Sequence, residues 1–289
     1  YLGATMTSAA AYRGAYATAL GLSRRKAGHQ AMAIDYVWDD HDWGGSDDGN
    51  RTWPNAEDAA AVYRQVVPHY PLAPIAPDNA IYHTFTIGRC PFIVTDLRYH
   101  RDPSADTDTP SHTALGATQK QWLKDQFVAA RDAGAPLVFW CSSSVWTLDG
   151  DGSSGADTWG RFAYERAEIA SFIEANNIPP VVILAGDAHQ LSYHPGRIFG
   201  LGQRAIPEHV SAALAADPAT RFGPWAYGPL AGSGHYSTLE VTDDGLTISY
   251  TITGWEVDGA GNETLAYSVT DNDGAGSSDT GTGRTLKVH

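Results

Sequence analysis

An α/β fold with sites at the carboxyl ends of its strands is predicted by three observations. Segments of helical period alternate with short apolar runs, the layout of helices packed on a largely buried sheet. Two of those runs, 31–37 and 181–185, end abruptly in clusters of Asp and His. In α/β sheets ligands collect where strands end. After about residue 236 the period changes to two and a hairpin pattern appears, which predicts a second, antiparallel sheet.

Taken in order, Ser8 to Leu22 carries Tyr12, Tyr16 and Leu20 at helical spacing, and Gly21 stops it. Arg24-Arg25-Lys26 is the basic cluster of the chain, expected to neutralise the C-terminus of that helix. Ala31 to Val37 is expected as the first strand, leading to Asp39-Asp40-His41-Asp42 and then a long turn-forming loop, 44–53. Pro54 opens a helix over 55–67, with Ala59, Val62, Tyr63 and Val66 on one side. Ile81 to Ile87 and Pro91 to Leu97 form a hairpin turned at Gly88-Arg89. A helix over 116–133 stops at Gly134, and Pro136 to Trp140 is a strand ending in Cys141-Ser142-Ser143-Ser144. A Gly/Asp-rich loop, 149–157, leads to a helix over 159–175, and Val181 to Ala185 is the strand before Gly186-Asp187-Ala188-His189. Tyr236 to Val241 and Leu246 to Thr253 make a hairpin around Asp243-Asp244-Gly245. Leu265 to Val269 adds an edge strand, and 277–283 is a loop before a final short strand.

The chain of 289 residues has 43% hydrophobic and 18% charged residues, the make-up of a globular protein. Its formal charge of −14 argues against non-specific binding to nucleic acid or anionic membrane, which need Lys and Arg. Asp dominates the acids and Lys is scarce; Asp favours loops and hard-cation ligation. No run of about 18 apolar residues appears, so no membrane span is expected. The composition is compatible with extracellular calcium, and the expected location is extracytoplasmic or secreted. Cys90 and Cys141 are too few for a disulfide framework or a zinc-cysteine site, and two free thiols are expected.

The two strand-tip clusters point to metal chemistry. Neighbouring aspartates at the end of an apolar run repel one another, and a half-buried carboxylate without a partner is costly. A divalent cation removes that cost, and Asp and His are ligands for one.

Four segments carry a resemblance: Trp38-Asp-Asp-His-Asp-Trp-Gly44, Phe92-Ile-Val-Thr-Asp-Leu-Arg98, Leu115-Gly-Ala-Thr-Gln-Lys-Gln-Trp-Leu123 and Leu184-Ala-Gly-Asp-Ala-His189. In this order they resemble the PhoD-like alkaline phosphatase and phosphodiesterase family of the calcineurin-like metallophosphoesterases. The resemblance implies an αββα sandwich with mixed sheets and helices outside, forming one domain over 1–289. It also implies metal-dependent hydrolysis of phosphoric mono- or diesters, with a phosphate-ester substrate. Asp39-Asp40-His41-Asp42 resembles the superfamily's GNH[DE] turn, so Asp40 is the implied ligand and His41 the implied acid toward the leaving group. Gly186-Asp187-Ala188-His189 resembles the GHxH motif, so Asp187 and His189 are implied ligands. Carboxylates at such positions favour harder ions, Fe, Mn or Ca, over Zn. Asp42, or Asp39, is expected to hold the His41 ring.

The family's two earliest motifs, which supply a metal-bridging aspartate, should lie upstream of the first helix, whereas the chain opens at Tyr1. The expectation is an N-terminally incomplete domain whose site is completed by an upstream segment or chain. Ser142, Ser143 and Ser144 stand where the superfamily has a central ligand His. The second reading is therefore a catalytically degenerate binding or structural protein on the same fold. Asp96 and Arg98 could position a phosphate, although a buried Asp96–Arg98 pair holding the loop is the stronger expectation. Tyr193 and His194 follow the second cluster closely enough to touch substrate. The serines lack a GxSxG elbow, and no phosphate-cradling glycine loop is present.

Overall fold

The structure, a computed structural model, describes residues 6–44, 48–72, 79–147, 157–197, 204–212, 214, 223–271 and 284–288. Helix α1 (Ala9–Gly21) starts where the Ser8 hydroxyl accepts the Ala11 N–H at 3.3 Å. Leu22 is extended, and a helix not expected from the sequence, α2 (Ser23–Ala31), follows at once. Arg24-Arg25-Lys26 therefore lies in the first turn of α2 rather than closing α1. The weak apolar pattern of this polar helix hid it. The four-residue α3 (Asp40–Trp43) and the longer α4 (Ala56–Val66) complete this part, and α1 packs on α4. Tyr12, Tyr16, Trp38, Trp43, Val62 and Tyr63 form its core.

The expected first strand is not one. Residues 33–39 belong to no strand of either sheet among the described residues. Their polar groups meet side chains instead of a ladder: the Tyr63 hydroxyl donates to the Tyr36 carbonyl, and the Trp38 indole N–H donates to Asp96 Oδ1 at 2.7 Å. Apolar content alone cannot tell a laddered strand from such a segment.

The larger sheet has seven strands: β1 (His83–Ile87), β2 (Cys90–Val94), β3 (Val138–Ser142), β4 (Val181–Ala185), β5 (Gln190–His194), β6 (Glu208–Ser211) and β7 (Tyr227–Ala231). Their order is β1-β2-β3-β4-β6-β5-β7. The β1–β2 hairpin turns where expected, with Gly88 at φ +60, a conformation that suits glycine. β2, β3, β4 and β6 run parallel, while β1, β5 and β7 pair antiparallel, so the sheet is mixed. Helices α5 (Gly116–Asp132) and α6 (Ala163–Ala175) cover one face, packing Leu123, Phe127, Ile169 and Ile173 on Ile93, Trp140 and Ile183. A short 3₁₀ turn, Trp159–Phe162, leads into α6.

The smaller sheet is antiparallel, β11-β10-β9-β8, from β8 (Tyr236–Asp243), β9 (Ile248–Val257), β10 (Glu263–Asp271) and β11 (Arg284–Val288). Leu265–Val269 is thus the middle of a longer inner strand, because β11 pairs outside it. The loop expected over 277–283 lies outside the described residues. Alternate residues of β9, Ile248, Tyr250 and Ile252, pack against Phe139 and Val182 of the larger sheet. Leu191 and Tyr193 meet Tyr267 and Val269 in the same way. Gly254 sits at this junction, where a Cβ would lie 2.4 Å from the Tyr267 ring. The outer face of the small sheet carries Thr and Ser pairs, such as Thr251 with Thr270. The expected two-sheet sandwich is therefore present, with α5 and α6 outside the larger sheet.

Candidate metal centre

Strand β4 ends at Ala185, and Gly186 carries the chain to Asp187 and His189, both with positive φ of 60° and 54°. For residues other than glycine that backbone costs on the order of 1 kcal/mol each and is over-represented at functional sites. It turns Asp187 toward the loop that holds Asp39 and Asp40. Donor atoms of Asp39, Asp40 and Asp187 lie within 4.8 Å of one another. A cleft of about 250 Å³ opens beside them, with Asp39, Ser143 and Asp187 in its wall and Val37, Cys141 and Leu184 supplying apolar surface.

The aspartates of the DDHD loop face different ways. Asp39 accepts from Arg98 Nε at 2.6 Å and from the Ser143 hydroxyl at 2.9 Å. Asp40, the first residue of α3, is buried. Asp42 points away from the cluster, accepting the Tyr36 hydroxyl and, at 3.3 Å, the Asp39 N–H. The carboxylate beside the His41 ring is accordingly Asp40, with Oδ2 3.5 Å from Nε2, and not Asp42. His41 is 27% exposed and so open to a substrate.

Arg98 is fully buried and reaches two acids. Its Nη1 donates to Asp157 Oδ1 at 2.9 Å, while Nε and Nη2 grip Asp39. The expected Asp96–Arg98 ion pair is not formed. Asp96 spends its oxygens on Trp38, on the Ile81 N–H at 3.0 Å and on the Arg98 backbone N–H at 2.9 Å. It is a tie between β2, the 33–39 segment and Gln119 of α5, whose amide donates to the Asp96 carbonyl at 2.8 Å. Buried Arg101 stands behind, 3.8 Å from Asp157 Oδ1.

Four buried or half-buried carboxylates, Asp39, Asp40, Asp157 and Asp187, thus face two guanidiniums. The imbalance shows in their titration. Burial, then Asp39, pushes Asp40 up to about 8. Burial, then Asp157 and Asp39, holds Asp187 well above the carboxylate range. Asp39 is raised too, by burial, although Arg98 opposes the shift. Burial alone would lower Arg98, but Asp157 and Asp39 outweigh it and raise it. Arg101 is pushed down to about 10 by burial and by Arg98. Protons held this way are what a cation displaces, and oxygen-only donors suit a hard ion. The residues therefore fit a bound metal ion.

His189 lies on the Asp187 turn, but its ring does not join the 4.8 Å group. Tyr193 and His194 are buried in β5. His194 Nδ1 accepts the Gly196 N–H at 2.9 Å, and burial pushes its pKa down to about 4. Cys90 and Cys141 are free thiols, and burial pushes Cys141 up to about 12. Sequence reasoning missed Asp157, Arg101 and the contact of Ser143 with Asp39. The acidic loop ending at Asp157 was visible, but nothing in it singled out Asp157.

A two-sheet α/β sandwich with a carboxylate cluster beside the tip of β4 is a metallophosphoesterase fold. The PhoD-like phosphatase family profile matches residues 3–214, and the chain belongs to that family. Alkaline phosphatase D of Bacillus subtilis (strain 168) is 28% identical over 201 residues, 62% of this chain and 34% of that protein. The solved structure of PhoD superposes with a TM-score of 0.71 at 19% identity, covering 97% of this chain and 60% of that one. The chain therefore spans about a third of the length of the curated relative.

Proposed function

We propose that the chain hydrolyses phosphoric mono- or diesters at a metal centre held by Asp40 and Asp187. The observation that carries this reading is the convergence of Asp39, Asp40 and Asp187 beside the tip of β4, with more negative charge than Arg98 and Arg101 balance. His189, on the same turn as Asp187, is a further ligand. Asp39, already gripped by Arg98, supports the centre from behind. When bound, hard cations neutralise a phosphoryl group and lower the pKa of water. His41 supplies the proton. Its Nε2 faces Asp40 at 3.5 Å and is the atom from which the leaving-group oxygen would be protonated. The cleft accepts the ester beside the cluster, with Ser143 in its wall.

The test is metal content by elemental analysis, together with hydrolysis of p-nitrophenyl phosphate and its bis-ester after loading with Mn, Ca or Fe. Asp40→Asn and Asp187→Asn should lose bound metal and at least a hundredfold in rate. Unchanged metal content and rate in Asp187→Asn would sink the reading and leave a binding protein on this fold.

A further inference from the structure

The loop that delivers Asp39, Asp40 and His41 follows a segment with no sheet ladder, so something else must fix its position. Near the start of that segment, Asp35 meets His83 at the beginning of β1. His83 Nε2 lies 3.0 and 3.1 Å from the two Asp35 oxygens, and Nδ1 lies 2.8 Å from the Ile81 carbonyl oxygen. Its side chain has no solvent exposure, while that of Asp35 is 18% exposed. A carbonyl can only accept, and so can an ionised carboxylate. Both ring nitrogens must then carry protons, and the ring is an imidazolium.

We propose that His83 is a positioning residue, a buried imidazolium whose bond to Asp35 fixes the segment that presents Asp39, Asp40 and His41. This rests on the reading of the metal centre given above. The ring lies beside the stacked Tyr70 and Phe85, 6.3 and 6.4 Å from their centroids, and has no solvent exposure. Ile81 is itself anchored, its N–H donating to Asp96 Oδ2. Asp96 also takes the Trp38 indole, so His83, Asp96 and Trp38 tie both ends of the segment to one edge of the large sheet.

The nearby cation is Arg64 of α4, whose Nη2 donates to the Ala80 carbonyl at 2.9 Å rather than to Asp35. Tyr63 of α4 is raised by burial and by Asp35, and Cys141 of β3 is held up to about 12 by burial and by Asp35. Both stay neutral through the working range, and Tyr70 contributes its ring. Asp35 is the carboxylate in contact with the imidazolium. Burial disfavours the charged ring, but the Asp35 and Ile81 bonds prevail and raise its pKa. Deprotonation turns one bond from attraction into a clash of an acceptor with an acceptor, and the segment loosens.

The experiment starts with the unmodified protein. Two-bond nitrogen–proton NMR of the histidine rings from pH 5.5 to 9 should show His83 protonated on both nitrogens at pH 7.5. A His83 ring that is neutral at pH 7.5 overturns the proposal. Asp35→Asn, which keeps the shape and loses the charge, should return the His83 pKa below 6.5 and weaken Mn²⁺ binding by calorimetry at least tenfold. It should lower kcat with little change in KM, and Asp35→Glu should recover part of the loss. Tight Mn²⁺ binding unchanged in Asp35→Asn, with a folded spectrum, also overturns it. If the unmodified protein binds no metal and hydrolyses nothing, the metal-centre reading fails, while the NMR result still decides the state of His83.

Discussion

Replacing Asp40 by asparagine removes the carboxyl that burial and Asp39 push up to about 8, and the effect on stability has a defined sign. Below pH 4 the folded and unfolded chains both hold the proton. Between about 4 and 8 the unfolded chain releases it and the folded chain does not, so stability falls as pH rises; above about 8 the loss is complete. A shift of about four units at ~1.36 kcal/mol each amounts to on the order of 5 kcal/mol. His194 works in the opposite sense. Held near 4 by burial, it adds stability as pH rises toward about 6.5 and nothing beyond. The clean window is therefore pH 6.5 to 8, where Asp40 accounts for on the order of 2 kcal/mol, or about 4 °C in Tm for a chain of this size. His83 loses stabilisation in the same direction but is present in both proteins, so the difference between them reports Asp40 together with its effect on Asp39 and Asp187. Thermal melts in EDTA should show Tm falling from pH 6.5 to 8 in the wild type, with a shallower slope in Asp40→Asn. Equal slopes would refute the argument. Mn²⁺ or Ca²⁺ at a hundred times its Kd should restore about 2.7 kcal/mol to the wild type, and the Kd should be lower at pH 8, where fewer protons must be displaced.

Three further outcomes follow from the geometry. Arg98→Ala leaves Asp39 and Asp157 without their shared guanidinium and should cost about 3–5 kcal/mol in urea denaturation, whereas Arg98→Lys should recover only part. His41→Ala should slow hydrolysis of an alkyl phosphate by roughly 10²–10⁴-fold but barely affect p-nitrophenyl phosphate, whose leaving group needs no proton; equal losses on both would remove the acid role. Gly254→Ala, whose new Cβ would meet the Tyr267 ring at 2.4 Å and Leu191 at 2.9 Å, should destabilise by about 1–3 kcal/mol without changing metal content.

Elements with a strong local signal could be read from the chain itself. α4 and α5 declare themselves by period and capping glycine or proline, and the hairpins at Gly88 and Gly245 by turn chemistry. β5, β6 and β7 were not read, because Gln190, Ser192, His194, Glu208 and His209 are polar residues buried by tertiary contacts. Glu208 is tolerated in β6 because the Trp146 and Thr147 N–H groups donate to it at 2.6 and 2.9 Å. The acidic clusters were visible as clusters, but the direction of each carboxylate was not. Asp42 turns toward Tyr36, and Asp39 toward Arg98, because partners more than fifty positions along the chain, or six in the case of Tyr36, lie on one side only. Side-chain direction at a loop is decided by what folds against it.

The two halves of the carboxylate cluster rest on unequal foundations. Asp187 hangs from β4, hydrogen-bonded to strands on both sides, whereas Asp39 and Asp40 hang from a segment tied down by Tyr63, Asp96 and His83 side chains. In hydrogen-exchange terms these belong to different opening units, one close to the global unfolding free energy and the other well below it. A cation shared between Asp40 and Asp187 would splice them into one. Chelation should then quicken exchange at 33–38 by orders of magnitude while leaving β4 unmoved, so that the ion acts as the missing rung of a ladder the backbone never built.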